Sequence, residues 1–150
     1  MSTDMCVTID GKQVALEGEK NLLEVIRKAG IDIPTFCYHI ELRTSGACRL
    51  CIVDIEGMGV VTSCSTPPRP GMVVKTYTPE IRETRKLTVE LLLADHDMRC
   101  PTCGKNGACQ LQGIARRMGI REVRFKPTRQ PMPVDRSNPS LVRDPNRCVL

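Results

Sequence analysis

Alternating polar and apolar residues open the chain and predict a β-hairpin followed by a helix. Residues 6–9 and 12–15 flank an Asp-Gly pair, which readily adopts the two positive φ angles of a type I′ turn. Asn21 then stands at the expected N-cap of a helix, with Glu24 three residues later in a capping-box arrangement, and Gly30 ends the helix. The residues predicted to face inward are Leu22, Leu23 and Ile26. We therefore expect the start of a β-grasp domain.

An irregular loop and three more strands are predicted to complete this domain. Residues 31–50 have no clean periodicity, and Pro34 and Gly46 are typical of a loop. Strand patterns then return at residues 51–56, 59–64 and 72–76. The loop before these strands is free to wrap around a bound group.

Two helices are predicted in the second half of the chain. Thr78 is a suitable N-cap with Pro79 at the first helical position, and the helical pattern continues to about residue 95. Its expected buried faces are Thr84, Leu87, Leu91 and Ala94, and beside them Val89, Leu92, Leu93 and His96. A shorter helix is predicted over residues 110–118, ended by Gly119.

The C-terminal part has the composition of an extended segment. Residues 126–147 carry five of the eleven prolines and show neither a helical nor a strand period. The predicted fold class is therefore α+β in three parts: a β-grasp domain over residues 1–78, a small helical domain over residues 79–125, and an extended tail over residues 126–150.

The composition leaves little material for a large core. The 150 residues include two Phe, two Tyr and no Trp, and small domains of this kind commonly need a bound metal or another cross-link. Nine cysteines, an odd number, without an N-terminal secretory pattern disfavour a disulfide framework and favour a reducing cytoplasm. No apolar stretch approaches the roughly 18 residues of a membrane-spanning helix, so we expect no membrane insertion.

Basic charge is concentrated near the C-terminus. Residues 1–113 have a net charge of −1 and residues 114–150 a net charge of +6. A single-strand nucleic-acid surface would interleave aromatic residues with the basic ones, and this region has only Phe125, so we expect no nucleic-acid binding. Docking on an acidic partner subunit and a merely solvated surface are the other interpretations.

Seven cysteines and one histidine form two groups with the spacing of metal ligands. The first group is Cys37, Cys48, Cys51 and Cys64, and the second is His96, Cys100, Cys103 and Cys109. An iron–sulfur cluster needs about four such ligands on backbone that wraps closely around it. A Cys-x2-Cys pair places two sulfurs on one tight turn, and nearby glycines let backbone N–H groups approach the sulfurs.

Structural zinc is the alternative at both groups. Zinc ribbons favour two Cys-x2-Cys pairs, whereas the first group has one such pair, a long loop to Cys37 and an isolated Cys64, which favours a [2Fe–2S] cage. A His/Cys3 set is itself a legitimate zinc site, so spacing leaves the second group open. Cys6 is predicted to be a small buried side chain and His39 to make a polar loop contact.

At these residues the chain resembles the N-terminal iron–sulfur module shared by the large subunit of respiratory complex I, the large subunits of NAD(P)-linked [FeFe] hydrogenases, and NAD-dependent formate dehydrogenases. The first-site motif G-x-C-R-x-C is matched by residues 46–51, followed by Cys64, Thr66-Pro67 and the G-M-x-V-x-T pattern at residues 71–76. The second-site motif is matched by Leu91-Leu-Leu, His96, Cys100, Cys103, Gly107, Cys109 and Leu111-Gln112. The resemblance covers essentially all 150 residues.

The resemblance implies both the ligands and the function. It implies one [2Fe–2S] cluster on the first group and one [4Fe–4S] cluster, with an unusual histidine ligand, on the second. It also implies that the protein passes single electrons between a flavin subunit that handles NAD(P)H and a catalytic subunit, without catalysis by this chain alone. A zinc-stabilised interaction or nucleic-acid-binding module is the alternative class.

Two positions beside the second group depart from the family pattern. Asp97 stands in place of a frequent proline and Arg99 in place of a frequent acidic residue. Neither is a ligand, so we expect cluster binding to survive. A neutral imidazole makes a cluster less negative, and Arg99 adds positive charge, so we predict a raised reduction potential at this site.

The ending resembles the start of a further domain with two [4Fe–4S] clusters. The next cysteine of that domain would follow Leu150, and Cys148 alone cannot hold a cluster. We therefore expect the chain to be part of a longer protein. The amino-acid sequence of residues 139–150 favours the hydrogenase-like branch of the family.

Overall fold

In the computed structural model, which describes residues 5–149, a tight hairpin opens the chain. Strands β1 (Cys6–Ile9) and β2 (Lys12–Ala15) are antiparallel, with Ile9 opposite Lys12. Asp10 has a φ of 47° and Gly11 a φ of 82°, which are the two positive angles of a type I′ turn. The predicted hairpin is confirmed.

The first helix begins and ends where the sequence predicted. In α1 (Leu22–Lys28) the side-chain oxygen of Asn21 accepts a hydrogen bond from the Glu24 N–H at 3.1 Å. The Glu24 carboxylate in turn accepts from the Lys20 N–H at 2.9 Å, one residue earlier than a standard capping box. Gly30, with a φ of 80°, follows the last turn.

Five strands form one mixed sheet against which α1 packs. β3 (Ile52–Ile55), β4 (Gly59–Thr62) and β5 (Val73–Lys75) extend the hairpin to give the order β2-β1-β5-β3-β4. The pair β1–β5 is parallel and the other neighbouring pairs are antiparallel. Apolar side chains of the sheet, of α1 and of the loop after α1 form the core: Val7, Ile9, Leu22, Leu23, Val25, Ile26, Ile33, Val53, Ile55 and Val74. This is the predicted β-grasp arrangement, and the α+β class is confirmed.

The second helix, α2 (Pro79–Ala94), has the predicted start but a different buried face. The Thr78 hydroxyl accepts from the Ile81 N–H at 3.2 Å, as an N-cap does. The buried positions are Ile81, Arg85, Val89 and Glu90, whereas Leu87 and Leu91 are 42% and 49% exposed. The expected face through Leu87 and Leu91 is therefore wrong, whereas the adjacent face is confirmed at Val89, which is fully buried. The sequence pattern misled because an arginine and a glutamate with hydrogen-bonding partners are buried in their place.

The chain divides into two compact units, of which the first ends at Arg85 and the second begins at Lys86. In the second unit, α3 (Gln110–Arg117) buries Leu111 and Ile114, and Gly119 follows it with a φ of 66°. The predicted second helix is confirmed.

The C-terminal segment contains a small hairpin that the sequence did not predict. Strands β6 (Asp135–Asn138) and β7 (Leu141–Arg143) are antiparallel, and every residue in them is exposed. An alternating pattern was absent because neither face of this hairpin is buried. Asn146 fixes the segment by exchanging two hydrogen bonds of 2.8 Å with the backbone of Met132.

Within residues 5–149, every helix is too short or too polar to cross a lipid bilayer.

Candidate metal centres

The loop that carries Cys37, Cys48 and Cys51 bends sharply at two residues with left-handed backbone. Gly46 has a φ of 65°, and Arg49 has a φ of 54°, an uncommon value for a residue with a side chain. These bends lie before Cys48 and between Cys48 and Cys51. The chain therefore changes direction on both sides of Cys48, and the Cys48 sulfur lies 3.3 Å from the sulfur of Cys37.

The four predicted ligands of the first site meet as two thiol pairs. The sulfurs of Cys37 and Cys48 are 3.3 Å apart, and the Cys51 thiol lies close enough to Cys64 to raise the pKa of Cys64. Backbone N–H groups point at the first pair. The Cys48 N–H donates to the Cys37 sulfur at 3.4 Å, and the Phe36 N–H donates to the Cys48 sulfur at 3.5 Å.

The charge on these thiols is controlled by burial. Cys48, Cys51 and Cys64 are 2%, 1% and 2% exposed. Burial raises the pKa of Cys64 to about 12, with the neighbouring Cys51 thiol adding to the effect, and burial also raises the pKa of Cys48. Burial acts in the same direction on Cys37, but hydrogen bonds from the Cys48 N–H and the Ser45 side chain outweigh it and lower that pKa. Cys48 and Cys64 are thus buried soft donors that ionise less readily than free thiols, and a positive core that stabilises their thiolates fits an iron–sulfur cluster.

Three consecutive carbonyls around Cys51 are fixed by side chains. The Cys51 carbonyl accepts from the Ser63 N–H at 2.9 Å and from the Ser63 hydroxyl at 2.7 Å. Arg85 donates to the carbonyls of Leu50 and Ile52. Sequence reasoning missed both Ser63 and Arg85, because nothing in a helical or strand pattern marks a polar residue whose partners are distant carbonyls.

Cys64 reaches the site from a short 3₁₀ turn, Ser63–Ser65, which directly follows β4. The prediction placed Cys64 at the end of the strand itself. Thr62 is the last strand residue, and its carbonyl accepts hydrogen bonds from the hydroxyls of Ser65 and Thr66. These bonds tighten the chain into the turn that carries Cys64.

The second group lies on a helix end, a turn and a helix start. His96 follows α2, Cys100 begins the 3₁₀ turn Cys100–Thr102, and Cys109 is the N-cap of α3. The Cys103 N–H donates to the Cys100 carbonyl at 3.0 Å, which closes the Cys-x2-Cys turn. All three cysteines are half-buried.

His96 carries the observation that bears most directly on a bound group at the second site. In residues 5–149 its Nδ1 atom is the buried side-chain nitrogen or oxygen without a hydrogen-bond partner. A buried nitrogen without a partner costs about 1–3 kcal/mol, and coordination would remove that cost. The donor chemistry thus fits a metal cluster. Within the same residues, no three His, Cys, Asp or Glu side chains are arranged to hold a single metal ion.

Arg99 is paired, which changes one expectation. Its guanidinium lies 2.6 Å from the Asp97 carboxylate in a two-nitrogen contact, and this hydrogen bonding lowers the pKa of Asp97 to about 2. The positive charge that was expected to raise the potential is therefore largely compensated. The raised potential remains a prediction that depends on the His96 imidazole alone.

His39 and Cys6 were predicted to lie outside both ligand sets. His39 Nδ1 accepts from the Glu41 N–H at 3.3 Å, which is the predicted polar loop contact. Cys6 is half-buried on β1 rather than fully buried as expected.

A β-grasp domain with a buried four-cysteine loop, followed by a helical unit with a His/Cys3 group, defines an iron–sulfur protein of the electron-transfer class. The chain belongs to the 2Fe-2S iron-sulfur cluster binding domain family, whose model matches residues 2–79. The NADH-ubiquinone oxidoreductase-G iron-sulfur binding region matches residues 85–124. The cofactors are therefore one [2Fe–2S] and one [4Fe–4S] cluster, and the function of the chain is electron transfer. The zinc alternative is not favoured.

The curated relatives are subunits of large redox enzymes. The chain is 40% identical over 146 residues to the 78 kDa subunit of mitochondrial NADH-ubiquinone oxidoreductase of Neurospora crassa, covering 95% of this chain and 20% of that protein. It is 35% identical over 152 residues to the NADP-reducing hydrogenase subunit HndD of Solidesulfovibrio fructosivorans, covering 97% and 26%. The chain thus spans about a fifth to a quarter of these relatives' length.

A solved structure shows the same fold. A chain of the NAD+-reducing [NiFe]-hydrogenase in the H2-reduced state superposes with a TM-score of 0.89 at 34% identity, covering 97% of this chain and 62% of that one. The resemblance predicted from the motifs is confirmed. Matches fall on both the complex I and the hydrogenase side, so the preference for the hydrogenase-like branch stays a prediction.

Proposed function

We propose that each cluster is held by the group of four residues that the spacing indicated. The [2Fe–2S] ligands are Cys37, Cys48, Cys51 and Cys64, and the [4Fe–4S] ligands are His96, Cys100, Cys103 and Cys109. The observation that carries this proposal is the pairing of thiols in the first site, because each iron of a [2Fe–2S] core takes two of the four thiolates. The unpartnered His96 nitrogen supports the second set.

The electron-transfer role is proposed to lie within a larger NAD(P)-linked oxidoreductase. When bound, the clusters accept and release single electrons, while the chain holds them, shields them from water and adjusts their potentials. We propose that electrons pass between a flavin subunit that handles NAD(P)H and a catalytic site elsewhere in the assembly. The names of the relatives, an NADH-ubiquinone oxidoreductase subunit and an NADP-reducing hydrogenase subunit, support this.

Partners and compartment follow from the same proposal. The net charge of +6 over residues 114–150 suits docking on an acidic partner subunit. The cysteines of the described residues form no disulfide, which suits a reducing compartment, and we propose the cytoplasm.

Metal analysis with spectroscopy tests the proposal. Anaerobically purified protein is expected to contain about six iron and six acid-labile sulfide per chain, with two distinct EPR signals after dithionite reduction. Two zinc per chain, no sulfide and no EPR signal would contradict it and would restore the zinc-stabilised alternative.

A further inference from the structure

Arg85 is an arginine buried beside the first metal centre. Only 7% of its surface is exposed, although arginine is almost never fully buried unless it is paired. Its Nε donates to the Leu50 carbonyl at 3.0 Å, and its Nη2 donates to the Ile52 carbonyl at 2.6 Å. The guanidinium therefore holds the peptide groups on both sides of Cys51 by hydrogen bonds to their carbonyls.

The hydrogen-bond partners of Arg85 are neutral, so its charge must be balanced by something else nearby. Burial lowers the pKa of Arg85, and the nearby Cys51 side chain and Asp10 carboxylate oppose this, because negative charge at either position stabilises the guanidinium. An arginine stays protonated in proteins, so a full positive charge lies next to the site. A buried cation without a contacting carboxylate is costly unless a neighbouring anion stabilises it.

We propose that Arg85 is a positioning residue that raises the reduction potential of the [2Fe–2S] cluster through its buried charge, and that its two hydrogen bonds to the backbone around Cys51 slow the loss of the cluster. The inference rests on the proposed ligand set. Four thiolates around an oxidised core of about +2 leave a net charge of about −2, and one added electron makes it about −3. A fixed positive charge at short range stabilises the more negative, reduced state.

The electron in this step has a defined origin and destination. One ferric ion of the core becomes ferrous, no bond is broken, and the electron comes from dithionite in the experiment or from the flavin subunit in the proposed assembly. Arg85 neither gains nor loses a proton. Its contribution is electrostatic and geometric.

A redox titration of the [2Fe–2S] EPR signal in the full chain tests the proposal with three variants. Arg85→Gln removes the positive charge. Arg85→Lys keeps the charge but loses the paired hydrogen bonds to the Leu50 and Ile52 carbonyls. Arg82→Gln is the matched control, because it removes one positive charge from the same helix at a side chain that is 59% exposed. We expect Arg85→Gln to lower the reduced-to-oxidised ratio at a fixed potential about tenfold, which equals 59 mV for one electron. Arg85→Lys should stay near the wild type in potential while losing the cluster faster on warming, and Arg82→Gln should change neither.

The outcomes separate the role of Arg85 from the proposed function. Absence of a [2Fe–2S] signal in the wild type would overturn the ligand assignment and the inference together. A normal wild-type signal with an unchanged potential in Arg85→Gln, or an equal shift in Arg82→Gln, would overturn the inference alone. Loss of the cluster in both Arg85 variants would also overturn it, because the side chain would then be a structural clamp and not a determinant of the potential.

Discussion

At the residue scale, the first metal centre depends on thiols that the protein itself buries, without any contribution from a metal. Cys51 and Cys64 are 1% and 2% exposed, and burial, with the nearby Cys51 thiol, raises the pKa of Cys64 to about 12. The Cys64 thiolate is therefore stabilised only when a cationic core compensates its charge. Removing one thiol should therefore remove the cluster and not merely alter it.

Cys64→Ala is expected to abolish the [2Fe–2S] signal and to lower the iron content from about six to about four per chain, leaving the [4Fe–4S] signal in place. EPR and iron analysis of the purified variant measure this. Cys6→Ala, at a half-buried strand position outside both groups, is the control and should keep both signals. A [2Fe–2S] signal that survives in Cys64→Ala would remove Cys64 from the ligand set.

A second residue-scale prediction concerns acid. The Glu17 N–H and the Lys28 ammonium both hydrogen-bond Glu19, which lowers the pKa of Glu19 from 4.5 to about 2. A depressed carboxyl pKa contributes stability that is present above about pH 4.5 and is lost as the pH falls towards 2. The Glu19→Gln variant should therefore have a lower melting temperature than the wild type at pH 6, and this difference in melting temperature should shrink as the pH falls.

The comparison uses the difference in melting temperature between the two proteins at each pH, so that acid damage common to both cancels. Glu56→Gln is the control, because it changes an exposed glutamate in the β3–β4 turn. Its melting temperature should differ little from that of the wild type at every pH. A Glu19→Gln difference that stays constant from pH 6 to low pH would contradict the linkage.

At the element scale, α1 is short and depends on its cap. Seven residues are too few for a helix to be stable alone, since isolated helices below about 12–15 residues are marginal. Asn21 caps the helix and also donates from its amide to the Tyr38 hydroxyl at 3.1 Å. Tyr38 follows Cys37 directly, so the cap connects the helix to the metal-binding loop.

Replacing the cap should destabilise the first unit without removing the cluster. Asn21→Ala is expected to cost about 1 kcal/mol, which corresponds to roughly 4–8 °C in melting temperature for a unit of this size. Asn21→Asp keeps an acceptor for the Glu24 N–H and should recover most of the loss. Equal destabilisation by both substitutions would show that the contact with Tyr38, and not the cap, is the stabilising one.

At the scale of the whole molecule, the two units differ in how much core they have. The first unit buries a continuous set of apolar residues between its sheet and α1. In residues 86–149 the buried apolar residues are Val89, Leu111 and Ile114. A unit with so little buried surface needs its metal to stay folded.

Removing the metal should therefore unfold the units unequally. After anaerobic chelation we expect amide hydrogen exchange to stay slow in β1, β3 and β5 and to become fast throughout α3. Circular dichroism should show a matching partial loss of helix. The chain with both clusters is the reference, and equal protection of α3 before and after chelation would contradict a metal-dependent second unit.

Much of the fold follows from short-range patterns. The Asp10-Gly11 turn, the Asn21 cap, the Thr78-Pro79 helix start and the Gly119 helix end all lie where the sequence placed them, because each depends on the backbone preference of one or two residues. The hairpin β6–β7 was missed because a strand pair with no buried face leaves no alternation to read. The buried face of α2 was misplaced because burial of Arg85 and Glu90 depends on distant partners.

The sequence by itself indicated the class of this protein, because its ligands and their neighbours match the motifs of a known family, and such motifs are local. It also determined which eight residues are candidate ligands. Only the tertiary structure decided that the first four meet as two thiol pairs, that a histidine nitrogen is buried without a partner, and that Arg85 grips the backbone around Cys51. The physical reason is sequence separation: Arg85 lies more than 30 residues from the carbonyls it binds, and no local pattern encodes such a contact.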